Sequence, residues 1–232
     1  LPKRYWWILI TYVLCQLSGI IPALIPILDS VPRNQRMGVW IISSFAVTLI
    51  IVLLLLKPEW KMQTRGKTTI PASVLWAFLG IIMLFVVQSI AGAIEQGLFG
   101  EPTKSENTTQ IMNLTKVSPY IILVVGIIGP ILEEVVFRKV IFGSLYRKLN
   151  FFIAGLISSL LFAAAHMDKH ILIYTFVGFT LAYLYKHTGR IIVPIAAHAS
   201  MNTIVVLLTL SPAIQKIIEE QQTAQFIGGL FS

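Results

Sequence analysis

Seven stretches dominated by apolar residues alternate with short polar segments along this chain of 232 residues. They run from Trp6 to Leu28, Met37 to Leu56, Pro71 to Ile94, Pro119 to Phe142, Phe151 to Ala165, Ile171 to Tyr185 and Ile191 to Leu210. A helix needs about 20 apolar residues to cross roughly 30 Å of bilayer hydrocarbon, and most of the seven meet or approach that length. The fifth and sixth are shorter, which suits helices that tilt or lie inside a bundle away from lipid. The pattern predicts an all-α fold, a polytopic transmembrane bundle of about seven or eight helices, with 1–232 forming a single integral membrane domain. The first stretch follows Lys3 and Arg4, as a signal peptide would. It is too long for a signal core, carries Pro22 and Pro26, and no small-residue cleavage site follows, so it reads as a retained helix.

Composition agrees with the pattern: 56% of residues are hydrophobic and 12% charged, against about 25% charged in soluble domains. The net charge of +8 would suggest nucleic acid in a soluble chain. Its distribution says otherwise. With the N-terminus inside, 12 of the 18 cations fall on the cytoplasmic side, and of the loop acids only Glu59 does. That asymmetry predicts a cytoplasmic N-terminus, with a lipid bilayer and no nucleic acid among the partners. Trp6, Trp7, Trp40, Trp60 and Trp76 fall near span ends, as an interfacial belt requires. Cys15, the one cysteine, excludes an internal disulfide and a cysteine zinc cluster and reads as packing. The outer segment from Glu95 to Ser118 is the soluble-looking part. Its two N-glycosylation patterns, at Asn107 and Asn113, carry little weight. After Ser211-Pro212, the spacing of Ile214, Ile217 and Ile218 predicts a short interfacial helix.

With Lys139 counted among the cytoplasmic cations, five acidic, basic or histidine residues remain inside or at the end of the apolar stretches: Glu133, Glu134, Arg138, His166 and His198. Such groups are costly at membrane depth and mark function. Residues four apart share a helix face, so Arg138 is placed to neutralise Glu134, while Glu133 projects about 100° away and is left for chemistry. An unpaired carboxylate in a low-dielectric site suits a general base that must later release its proton. Three alanines precede His166. His198 and Asn202, four apart, offer donors of the kind that stabilise an oxyanion. Pro130 and Pro194 stand just before Glu133 and His198, and the expectation is that they kink their helices and open a polar cavity around the site. The segment His166-Met167-Asp168-Lys169-His170 can be read as a metal cluster, but its polar members look like a short outer loop, and His187 looks like a solvated cytoplasmic residue. By helix length, His166 comes out further from the cytoplasm than Glu133 or His198.

The ordered set Glu133-Glu134 with Arg138, Phe162 with His166, and His198 with Asn202 resembles the CAAX protease and bacteriocin-processing family (CPBP or Abi family) of intramembrane endopeptidases, which includes the Ras-converting type of prenyl-protein protease. The motifs span roughly 119–210, a motif-bearing catalytic core. The resemblance implies that Glu133 with His166 activates water, that His198 and Asn202 stabilise the oxyanion, and that Glu134, Arg138 and Phe162 support the site. It also implies a membrane-associated, prenylated or precursor peptide as substrate. No cofactor is required by the glutamate mechanism. A zinc metalloprotease with Glu133, His166 and His198 as ligands is the alternative, weakened by the lack of a His-Glu-x-x-His helix. The rival classes are a non-catalytic membrane scaffold or bacteriocin-immunity protein and a proton-coupled transporter.

Overall fold

The structure is a computed structural model that describes residues 1–24, 30–59, 68–100, 105–212 and 216. Trp60, the cations Lys61, Arg65 and Lys67, Pro26 and the isoleucines of the expected tail helix lie outside the described residues. The described chain is all-helical. Helix α1 spans Lys3–Leu17 and continues through a 3-10 turn, Ser18–Ile20, into Ile21–Leu24. Then follow α2, Arg33–Leu56; α3, Ile70–Phe99; and α4, Glu106–Val117. The composite α5 covers 121–145, and α6, α7 and α8 span Phe151–Ala165, Ile171–Thr188 and Ile192–Leu210.

Among the described residues, three helical stretches are long and apolar enough to cross a bilayer: Arg33–Glu59, Ile70–Phe99 and Ile192–Leu210, with Phe151–Ala165 a shorter apolar helix. On α3 the side chains divide into two faces. Leu75, Phe78, Ile82, Val86 and Ile90 are exposed, while Ser73, Gly80, Leu84 and Ala91 are buried. The exposed stripe is apolar, which in water would be a liability and in lipid is a solvated face. The buried stripe lies against α7 and α8. Gly80 permits that approach, since a Cβ there would stand 2.8 Å from Leu184 Cδ1 and 3.0 Å from Ala197 Cβ. One core cluster draws on every helix but α4, with Tyr12, Val52, Leu84, Leu132, Phe162 and Leu181 among its members. Cys15 is free and buried, as expected of a packing residue.

Several boundaries depart from the sequence expectation. Helix α3 runs five residues past Ile94, so Glu95 is a buried helical residue rather than the first residue of an outer loop. The segment after it is partly helical. Ser105 caps α4 by accepting from the Thr108 N–H at 3.0 Å, and Glu106 in the first turn complements the helix dipole. Pro194 stands in the first turn of α8, where its missing N–H would have had no helical partner, so it does not kink the helix.

Helix α5 departs most. Val124–Ile128 and Glu134–Phe142 form wide π turns on either side of the α-helical Gly129–Glu133. Pro130 lies in that short α-helical segment, so the irregularity extends well beyond the proline. Neighbouring helices take up carbonyls of the wide turns. Asn202 Nδ2 donates to the Val125 carbonyl at 3.4 Å, Thr203 Oγ1 to that of Gly126 at 3.4 Å, and Ser158 Oγ to that of Phe137 at 2.7 Å. Buried backbone acceptors left bare would be costly, and here polar side chains on α8 and α6 meet them. Gly126 lets Thr203 this close, since a Cβ would stand 2.6 Å from its Oγ1.

Candidate active site

The wide turn of α5 still stacks residues four apart. Arg138 Nε lies 3.0 Å from Glu134 Oε2, with both side chains fully buried. The contact is an ion pair without hydrogen-bond alignment, and among the described residues the terminal guanidinium nitrogens have no hydrogen-bond partner. The guanidinium lies over the Phe162 ring, 4.5 Å from its centroid, and 5.9 Å from that of Phe137. The electron-rich ring faces carry part of what hydrogen bonds would otherwise supply.

The other oxygen of Glu134 is also engaged. His198 Nδ1 donates to Glu134 Oε1 at 2.9 Å, and its Nε2 lies 3.7 Å from Glu133 Oε2. One imidazole is therefore set between the two adjacent carboxylates. Glu134 is thus shared by Arg138 and His198, a link that the spacing of Glu133 to Arg138 alone does not reveal. Among the described residues, the buried Glu133 Oε2 has no hydrogen-bond partner.

His166 forms the C-cap of α6. Its Nδ1–H donates to the Phe162 carbonyl at 2.8 Å, because a carbonyl can only accept, which leaves Nε2 available for another partner. No hydrogen bond joins Glu133 to His166 among the described residues. The Phe162 ring bridges the two imidazoles instead, 4.4 Å from His166 and 5.8 Å from His198. The difference in depth expected from helix lengths is met by an aromatic side chain placed between them. Asn202 sits one turn beyond His198 and directs one amide hydrogen to Val125. All seven sequence-selected residues, Glu133, Glu134, Arg138, Phe162, His166, His198 and Asn202, thus fall in one region on α5, α6 and α8.

Among the described residues, no group of three or more His, Cys, Asp or Glu side chains is arranged to hold a metal ion. Neither Glu133, His166 and His198 nor the segment from His166 to His170 makes such a group, so the donor geometry does not fit a zinc site. A cavity of about 290 Å³ lies away from Glu133, at the junction of α3 and α7, lined by residues including Ser89, Gly92, Glu95, Gln96, His170 and Ile173.

At that junction is a buried pair the sequence did not announce. Glu95 Oε2 accepts from His170 Nδ1 at 2.7 Å, and Oε1 accepts from the backbone N–H groups of Leu172 at 2.6 Å and Ile173 at 3.3 Å. The carboxylate caps α7, whose own flanking residue, His170, provides no side-chain cap. A helix start with no local Ser, Thr, Asp or Asn at its cap position was the available signal. Asp168 is the second addition. Burial alone would push its carboxyl up, but hydrogen bonds from the Ser105 hydroxyl and the Asn107 N–H, together with the Lys169 N–H and nearby His170, hold the group below the usual aspartate range. His187 is exposed, as expected, and its ring packs 4.2 Å from that of Trp76.

Residues 115–204 match a family described as type II CAAX prenyl endopeptidase, Rce1-like. The chain is 33% identical, over 98% of each sequence, to the membrane-embedded CAAX protease MroQ of Staphylococcus aureus. The chain belongs to the Rce1-like type II CAAX prenyl endopeptidase family. It is also 45% identical over 99% of each sequence to YdiL of Bacillus subtilis, whose name marks it as a candidate membrane peptidase. A third relative, the UPF0177 protein YxdF of Lactococcus lactis, is 37% identical over 34% of this chain. No solved structure matches. The family is one of membrane proteases, and the chain is a multi-pass, membrane-embedded member with bacterial relatives. The matched segment contains every residue of the site.

Proposed function

We propose that the chain is an intramembrane endopeptidase in which Glu133 is the general base. The observation that carries this reading is the contrast between the adjacent carboxylates. Glu134 is hydrogen-bonded to His198 through one oxygen and paired at 3.0 Å with Arg138 through the other, whereas Glu133 Oε2 is buried, makes no hydrogen bond among the described residues and has only a 3.7 Å contact with the same imidazole. A water held by Glu133 and by Nε2 of His166 attacks the scissile carbonyl carbon, and Glu133 takes its proton. The carbonyl oxygen becomes an oxyanion, which the Nε2–H of His198 and the second amide hydrogen of Asn202 stabilise. That role requires His198 to carry a proton on both nitrogens at this stage. Collapse of the intermediate breaks the C–N bond, and the proton held by Glu133 passes to the leaving amine. Glu134 and Arg138 fix His198, and Phe162 fixes His166 through its carbonyl and its ring.

The substrate class is a membrane-associated peptide, prenylated or a precursor, that reaches the site from the bilayer. The charge asymmetry of the loops supports a cytoplasmic N-terminus. The test is cleavage of candidate membrane peptides by the protein reconstituted in vesicles, with and without chelator. The expected result is cleavage that survives chelation and falls by on the order of 100-fold or more in His166→Ala and His198→Ala, as for loss of a positioned acid–base group or oxyanion donor. Cleavage unchanged in both variants sinks the assignment. Loss on chelation with recovery on added zinc would establish the metal enzyme instead.

A further inference from the structure

Between His166 and the start of α4 lies a run of side chains that the proposed reaction does not use. Tyr174, in the first turn of α7, lays its ring on the His166 imidazole, with centroids 4.1 Å apart and planes inclined by 26°. Phe162 meets the same imidazole in an edge-on arrangement from α6, and its carbonyl accepts a hydrogen bond from the Nδ1–H. His166 is therefore fixed on a face, at an edge and at one nitrogen.

The Tyr174 ring is itself fixed. Its hydroxyl donates to Asp168 Oδ2 at 3.3 Å and accepts from Asn107 Nδ2 at 3.3 Å. Asp168 Oδ2 also accepts from the Ser105 hydroxyl and from the Asn107 N–H. Met167, between His166 and Asp168, has φ +46° and is 90% exposed. A non-glycine residue in that region is disfavoured, and burial of its own side chain offers no compensation. The turn is held by what flanks it, namely the stacked His166 and the hydrogen-bonded Asp168.

We propose that Tyr174 is a positioning residue for His166: its ring sets the plane of the imidazole so that Nε2 faces the reacting water, and Asp168 holds the ring in that place. The inference rests on the reading of His166 as catalytic, and it adds a residue on α7, a helix that contributes none of the seven site residues above. A ring set by stacking loses its alignment when the stack is removed, even where the protein stays folded, and misalignment of this kind costs rate more than binding.

The experiment compares the wild type with Tyr174→Phe, Tyr174→Leu and Asp168→Asn in nanodiscs, following peptide cleavage and the Cε1–H signals of the four histidines by NMR. The His166 signal is assigned by its loss in His166→Ala. Stacking beneath Tyr174 displaces that signal upfield. In Tyr174→Leu it should move back toward the position of a free imidazole, while kcat falls by on the order of tenfold or more and KM changes little. Tyr174→Phe, which keeps the ring, should restore most of both. Asp168→Asn, which leaves the ring in place, should move the signal in the same direction by less, and it serves where the leucine variant does not fold. A His166 signal unmoved in both Tyr174→Leu and Asp168→Asn overturns the proposal, as does a displaced signal with unchanged kcat. Full cleavage by His166→Ala contradicts the parent reading directly and needs no Tyr174 variant to be seen.

Discussion

At the scale of single residues, the site depends on how three charged groups share one buried space. Glu134 and Arg138 are both fully buried, and removing one partner of such a pair leaves the other charge uncompensated. Arg138→Met should therefore destabilise the protein by about 3–5 kcal/mol, read as a lowered unfolding midpoint in detergent. Glu133→Gln should not, since Glu133 Oε2 makes no hydrogen bond among the described residues and stands 3.7 Å from His198, its one ion-pair contact there. Equal destabilisation by the two variants would contradict the division of roles. The spacing from Glu134 to Arg138 made the ion pair legible, because residues four apart meet on any helix. The grip of His198 on Glu134 was not legible, since 64 residues separate the two and no local rule connects them. The same holds for Glu95 and His170, 75 residues apart, and for the stack of Tyr174 on His166.

At the scale of elements, hydropathy located the apolar helices and misplaced some of their ends. Helix α3 continues through Glu95 because that carboxylate is spent on the N–H groups of Leu172 and Ile173, which a count of apolar residues cannot register. The wide turns of α5 have no signature in a single sequence. They show only in the companions they need, Ser158, Asn202 and Thr203, and the motif pattern singled out Asn202 alone. Close helix contacts depend on small residues in the same indirect way. A Cβ at Gly178 on α7 would stand 3.0 Å from Ser159 Cβ and 3.1 Å from its Cα on α6. Gly178→Val must therefore push α6 from α7, at a cost of about 1–3 kcal/mol from overpacking. Because α6 carries Phe162 and His166, cleavage should fall along with the unfolding midpoint. A valine variant with wild-type stability and rate would show that this contact does not set the site.

At the scale of the whole molecule, the described residues include three helical stretches long and apolar enough to cross a bilayer, and exposed apolar side chains surround a polar centre drawn from α5, α6 and α8. With a cytoplasmic N-terminus, the turn at Met167 faces outward and Lys57, at the end of α2, faces inward. In a Cys15→Ser background, Met167→Cys should react with an impermeant maleimide in intact cells, and Lys57→Cys only after permeabilisation. The reverse pattern would invert the topology. The claim on which the rest depends is that Glu133, the carboxylate whose buried oxygen makes no hydrogen bond among the described residues, performs the chemistry, and its most direct measurement is the cleavage rate of a membrane peptide by reconstituted Glu133→Gln. The account predicts a folded protein, at least as stable as the wild type, whose cleavage is reduced by on the order of 100-fold or more; cleavage at the wild-type rate would contradict it.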